Sequence, residues 1–370
     1  MSRNLVVCCD GTTNEIAGDT TNVLRTYRCL VRNDEQIAFY DCGAGTVANP
    51  DRITQRGRWL SRSIDSAMGL SVRANALDAY LFLVRNFQPG DRIYFFGFSR
   101  GAYTVRAVAG MIHFLGLLRP ELENLGELAW SVYSGENVSQ SVQQRFQGGN
   151  RFRKSFGVDF PVNIHFIGVW DTVSSFGWFG DLRTLPHTAN NPSISHVRHA
   201  LAIDERRALF QPNHFRPKKQ DQHETFKEVW FAGSHGDIGG GYPESDGTIS
   251  KVSLEWMQRE AQSLGLLLDI VNQKHILNDP PEHPPSDPLG TVHESLRGCW
   301  HIAELAPIRS YSGDAGRKRW TLPHLWARRP IKTMEPERIR PTLHISVLTR
   351  TETKARYKPS NLPTAFDVEP

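Results

Sequence analysis

The chain has no apolar run approaching bilayer-spanning length, no block of like charge, no internal repeat and no low-complexity tract. The first absence excludes a helical membrane span, so any contact with a membrane is expected to be peripheral, at its surface. The second argues against a nucleic-acid module. Lys+Arg (43) and Asp+Glu (39) are interspersed, with a net charge of +4, and only "RPKKQ" at 216–220 gathers basic residues. That cluster reads as a solvated loop, or else as a contact with phospholipid head groups. Cysteine is scarce: Cys8, Cys9, Cys29, Cys42 and Cys299. An odd count with no zinc spacing points to reduced, mostly buried thiols of a cytosolic protein. A strand begins almost at once, which leaves no room for a signal peptide and favours a cytoplasmic location, with export by a signal-independent system as the other route. The histidines are scattered without metal-ligand spacing, so neither a metal nor a cofactor is expected.

The 370 residues, 39% of them hydrophobic, suffice for a single large domain over 1–370. Leu5–Cys9 reads as a strand, Asn22–Val31 as a helix capped by Thr21, and Gln36–Tyr40 as a strand. Residues 64–87 carry a long helical pattern, "QPGDRIYFFGF" a turn and strand, and Ala102–Leu117 a helix. Further on, "VNIHFIGVWD" (162–171) reads as a strand, 196–210 as a helix, 227–237 as containing a strand, and 250–266 as an amphipathic helix. Residues 273–292 read as loop. Strands separated by helices imply parallel pairing with right-handed crossovers, hence an α/β, doubly wound, mostly parallel sheet with helices on both faces. Inserted lid or cap segments are expected at about 118–160 and 268–340.

"IYFFGFSRGAYTVRAVAGMI" contains Gly97-Phe-Ser99-Arg-Gly101. The G-x-S-x-G pattern is weak alone. Here an apolar strand precedes it and a helix rich in small residues follows, which is the setting of a nucleophile elbow. The serine then sits on a sharp strand-to-helix turn. Gly97 and Gly101 are required because side chains there would collide. A serine hydroxyl needs a base and an orienting acid. Asp171 closes the strand "IHFIGVWD" and is the first candidate acid. His235 follows an aromatic strand in "VWFAGSHGDIGGGY" and is the candidate base. Asp237 is a reserve acid and His344, in "TLHISV", a reserve base.

"LVVCCDGTTN" at the start is a buried strand ending in Asp-Gly-Thr. Haloacid-dehalogenase-type phosphatases begin similarly, but where their nucleophilic Asp stands this chain has Cys8. The loop is better read as half of an oxyanion hole. The amide of Arg100, after the nucleophile, supplies one donor, and Gly11 or Thr12 the other, with Asp10 holding the loop. "DCGAGT" (41–46) is placed on the site rim.

Taken in order, "CDGTTN", "YDCGAGT", "GFSRGAYTVRAVAGMI", "VWDTV", "FAGSHGDIGGGY" and "LHISV" resemble an α/β-hydrolase family. That family includes the catalytic domains of Tle-type phospholipase effectors of type VI secretion. The resemblance covers roughly 3–245 plus the short late segment. It implies a Ser99-Asp171-His235 triad and ester cleavage in phospholipids. The known effectors are often longer, with added membrane-docking modules. The expected activity is that of a serine esterase or lipase acting through an acyl-enzyme on an ester or phospholipid substrate, with "SSFGWFGDLRTLP" (174–186) lining the acyl pocket or forming a lid. Two other readings stand beside it: a metal-dependent phosphatase using Asp10, and a non-catalytic binding protein on a hydrolase scaffold. Nothing in the sequence bears on oligomeric state.

Overall fold

The computed structural model describes residues 2–11, 20–43, 60–135, 142–173, 177–178, 181–182, 185–208, 210–218, 223–298, 300–304, 308–312, 317–321, 328–334 and 340–370. The first part alternates strand and helix: Asn4–Cys9 (β1), Asn22–Cys29 (α1), Gln36–Asp41 (β2), Leu60–Asn86 (α2), Arg92–Phe98 (β3) and Ser99–Leu115 (α3). The helices Gly126–Ser134 (α4) and Val142–Phe156 (α5) follow, then Ile164–Trp170 (β4) and the short pair Gly177–Trp178 (β5) and Asp181–Leu182 (β6). Next come Ile194–Ala202 (β7), Thr225–Phe231 (β8), His235–Gly239 (α6), Ser250–Ser263 (α7) and Ile270–Leu277 (α8). The rest holds Trp300–Ala303 (α9), the pair Ile308–Ser312 (β9) and Arg317–Thr321 (β10), then Thr342–His344 (β11), Ile345–Thr353 (α10) and Asp367–Glu369 (β12).

Eight strands form one sheet in the order β12-β11-β8-β7-β4-β3-β1-β2, every neighbouring pair parallel. Strands buried on both faces need unbroken apolar runs, and β1 shows why. Leu5, Val7 and Cys9 pack with residues of α2, α3, α4 and α5, while Val6 and Cys8 pack on the other face with residues of α1 and α7. Thr21 caps α1 as expected, its side chain accepting from the Leu24 amide. Cys8, Cys9 and Cys29 are free and buried, and Cys42 is half-buried; Cys299 lies outside the described residues. No helix among the described residues is long and apolar enough to cross a membrane.

The helix expected over 196–210 is corrected by β7, which lies between β4 and β8. His196, Arg198 and His199 are buried there and paired. Arg198 Nε donates to Glu260 Oε2 at 2.6 Å, and His199 Nδ1 lies 2.8 Å from Glu228 Oε1. The loop expected over 273–292 begins with the end of α8. Two late strands, β11 and β12, extend the sheet edge, so the C-terminal part joins the same sheet.

Between β1 and β2 the chain winds to one side, and β3 returns to the other side of β1. Open α/β sheets bind ligands in the crevice beyond the strand carboxyl ends at such a switch point. The register brings the strand ends level there: Cys9 pairs with Gly97, and Phe98 with Trp170.

Candidate functional site

Ser99 is the first residue of α3 and holds φ = 56°, a left-handed conformation that costs a non-glycine residue of order 1–2 kcal/mol. A Cβ on Gly97 would stand 2.6 Å from Ala102 Cα, and one on Gly101 would run into the carbonyl oxygens of Cys9 and Asp10. The elbow therefore closes only with glycine on both sides. Phe98, the α3 N-cap, offers no side-chain bond to the helix. The amides of the first turn, that of Arg100 among them, are suited to receive negative charge.

Asp171 follows β4 directly and is fully buried, with φ = 37°. Its Oδ2 lies 2.5 Å from His235 Nδ1. Oδ1 accepts from the Ala202 amide at 3.1 Å and from Arg329 Nη1 at 2.7 Å. Burial alone would raise this carboxyl. The Arg329 charge and the His235 contacts outweigh it and hold the group well below the usual carboxylate range. An ionised carboxylate only accepts, so Nδ1 of His235 is the donor, and in the neutral ring Nε2 is then the nitrogen with the lone pair.

His235 opens α6 behind a capping box in which Ser234 and Asp237 satisfy each other. Its ring packs against Phe98 with centroids 4.6 Å apart and edge-on to Phe210 at 5.0 Å. Gly239 makes this possible, because a Cβ there would overlap the Phe98 ring. His235 thus reaches the elbow through the residue before Ser99. Among the described residues no hydrogen bond closes between the Ser99 hydroxyl and the imidazole.

The other expected residues divide. Asp10 accepts from the Gly11 amide at 2.7 Å, from the Tyr40 hydroxyl at 2.8 Å and from the Thr21 hydroxyl. These donors stand on both sides of residues 12–19. The Gly11 N–H thus donates to the side chain of the residue before it. Thr12 lies outside the described residues, as does most of "SSFGWFGDLRTLP". Asp237 is bound by Ser234 and by His293 Nδ1 at 2.6 Å, and the imidazole partner of Asp171 is His235. His344 caps α10, accepting from the Ser346 amide, and stacks on Phe231. Burial pushes it down to about 4. Cys8 is buried in the apolar layer facing α1 and α7, and burial pushes its thiol up.

Two residues that sequence reasoning missed complete the surroundings. Arg329 is described above. Glu205 is fully buried and accepts from the His235 amide at 3.2 Å, from Ser295 Oγ at 2.8 Å and, with both oxygens, from Arg207. Burial would raise Glu205, but the Arg207 bonds and charge, with Arg329 and His235 nearby, lower it from 4.5 to about 2. A carboxylate depressed by folding stabilises above its unfolded pKa, and that contribution is lost as the pH falls through the folded value. The expected result is a loss of roughly 3 kcal/mol from this group between about pH 4.5 and pH 2. Urea unfolding across that window should show a shallower fall for E205Q than for the wild type.

A family model for "T6SS, Phospholipase effector Tle1-like, catalytic domain" matches residues 3–260. The curated Saccharomyces cerevisiae protein YEL023C, itself uncharacterized, is 39% identical over 225 residues, 58% of this chain and 33% of its own length. This chain thus spans about a third of that relative. Among solved structures, an uncharacterized protein from Pseudomonas aeruginosa aligns over 78% of this chain and 49% of its own, at 19% identity and a TM-score of 0.44. ClbQ from the colibactin NRPS/PKS pathway aligns over 71% and 98%, at 12% identity and a TM-score of 0.27. More than half of the chain, from the first strand into α7, lies inside the family match, and the chain therefore belongs to the Tle1-like family of type VI secretion phospholipase effector catalytic domains.

Proposed function

We propose that this chain is a serine hydrolase of carboxylic esters, with phospholipids as its substrate class. The observation that carries the reading is the 2.5 Å contact between His235 Nδ1 and buried Asp171 Oδ2, beside a serine in the left-handed turn of an elbow. Family membership supports a phospholipase-like hydrolase. In this reading His235 Nε2 takes the Ser99 proton as the hydroxyl oxygen attacks the ester carbonyl. Asp171 fixes the tautomer and stabilises the imidazolium. The Arg100 amide and the α3 N-terminus receive the oxyanion, and the same histidine then activates the water that releases the acyl group. The hydroxyl–imidazole bond is of the kind that is often long before substrate arrives and tightens in the complex. The chain acts as one domain, and the excursion over 268–340 reaches back to the rim, since Arg329 belongs to it.

The phosphatase reading is disfavoured: its nucleophile position holds Cys8, whose side chain sits in an apolar layer. The test of the proposal is a panel of p-nitrophenyl esters and phospholipid vesicles given to the purified protein. Fatty-acid release from the vesicles is the expected result. Cleavage of the small esters with vesicles untouched would leave an esterase and remove the phospholipase assignment.

A further inference from the structure

We propose that Arg329 is a positioning residue for the reaction, holding the Asp171 carboxylate so that Oδ2 stays aimed at His235 Nδ1. The inference rests on the Ser99-His235-Asp171 reading and adds to it a residue that lies beyond the family match over 3–260. Arg329 and Asp171 are both essentially inaccessible, with side chains 1% and 0% exposed. The guanidinium has two tasks. Nη1 donates to Asp171 Oδ1 at 2.7 Å, and Nη2 donates to the Phe210 carbonyl. Phe210 is one of the two aromatic rings against the imidazole. One planar fork thus sets both the acid and a wall of the base, a task a flexible ammonium does less well. Arg329 is itself anchored, its carbonyl accepting from Asn361 Nδ2 at 2.8 Å.

The charge matters as well as the shape. Two buried carboxylates stand beside His235, Asp171 at the end of β4 and Glu205 in the β7–β8 connection. Arg207 is bound to Glu205, and Arg329 is the guanidinium bound to Asp171.

The experiment compares R329M, R329Q and R329K with the wild type on a soluble p-nitrophenyl ester, recording kcat and KM separately. R329M is expected to lower kcat about 10- to 100-fold with little change in KM. R329K keeps the charge and should recover part of kcat. Where R329M does not fold, R329Q is read in its stead. A folded neutral variant with wild-type kcat overturns the proposal. So does a loss carried by KM with kcat unchanged, which would assign Arg329 to substrate binding. Ser99→Ala in the same assay separates the two levels. If it stays active, the triad reading itself fails; if it is dead while R329M matches wild type, only the role of Arg329 falls.

Discussion

Replacing Ser99 with alanine is expected to lower kcat/KM on ester substrates by on the order of 10⁴-fold or more and to abolish labelling by a fluorophosphonate probe. The attacking oxygen is lost, so no acyl-enzyme forms, and any residual rate comes from oxyanion donors and binding alone. The fold should survive. Alanine keeps the Cβ that the backbone already tolerates at φ = 56°, and Ser99 is 9% exposed, so no large cavity opens. A circular dichroism melt close to that of the wild type separates lost chemistry from lost structure. Retention of more than a tenth of the activity, with labelling intact, would place the nucleophile elsewhere and end the mechanism proposed above.

Asp171→Asn is expected to do two kinds of damage. Its remaining oxygen can serve the Arg329 and Ala202 donors, which turns the amide NH₂ toward His235. The imidazole must then accept at Nδ1 and carry its proton on Nε2, the tautomer that cannot take a proton from serine. A fall in kcat on the order of 10³- to 10⁴-fold follows. The second cost is to stability. A buried guanidinium deprived of its ionised partner is an uncompensated charge, and breaking such a pair costs about 3–5 kcal/mol. D171N should therefore unfold at clearly lower urea concentration than the wild type. The double variant D171N/R329M removes the stranded charge and should regain part of the loss. A double variant no more stable than D171N would mean that the stranded guanidinium carries no such cost.

Much of this site could be read from short stretches because local geometry made it. The Gly97-Phe-Ser99-Arg-Gly101 turn carries its reason in its own residues: backbone passes so close that no Cβ fits on either glycine. Asp171 and His235 stood out because the first closes an apolar strand and the second follows one ending in Val-Trp-Phe. What escaped was set by contacts across the fold. The stretch 196–210 reads as helical, and the partners that bury its Arg198 and His199 in a strand, Glu260 and Glu228, lie 62 and 29 residues away. Arg329 meets Asp171 across 158 residues and stands in no motif. Gly11 was expected to aim its amide at the site, but the side chain of the residue before it was a nearer acceptor.

The distance along the chain between Asp171 and Arg329 also has a temporal meaning. Synthesis runs from the amino end and folding follows it, so the central strands can emerge and pair well before the guanidinium exists. Until then the carboxylate has no cation beside it and little reason to stay out of water. The growing polypeptide therefore carries its elbow early but cannot lock the acid behind it until Arg329 has been made, 158 residues later.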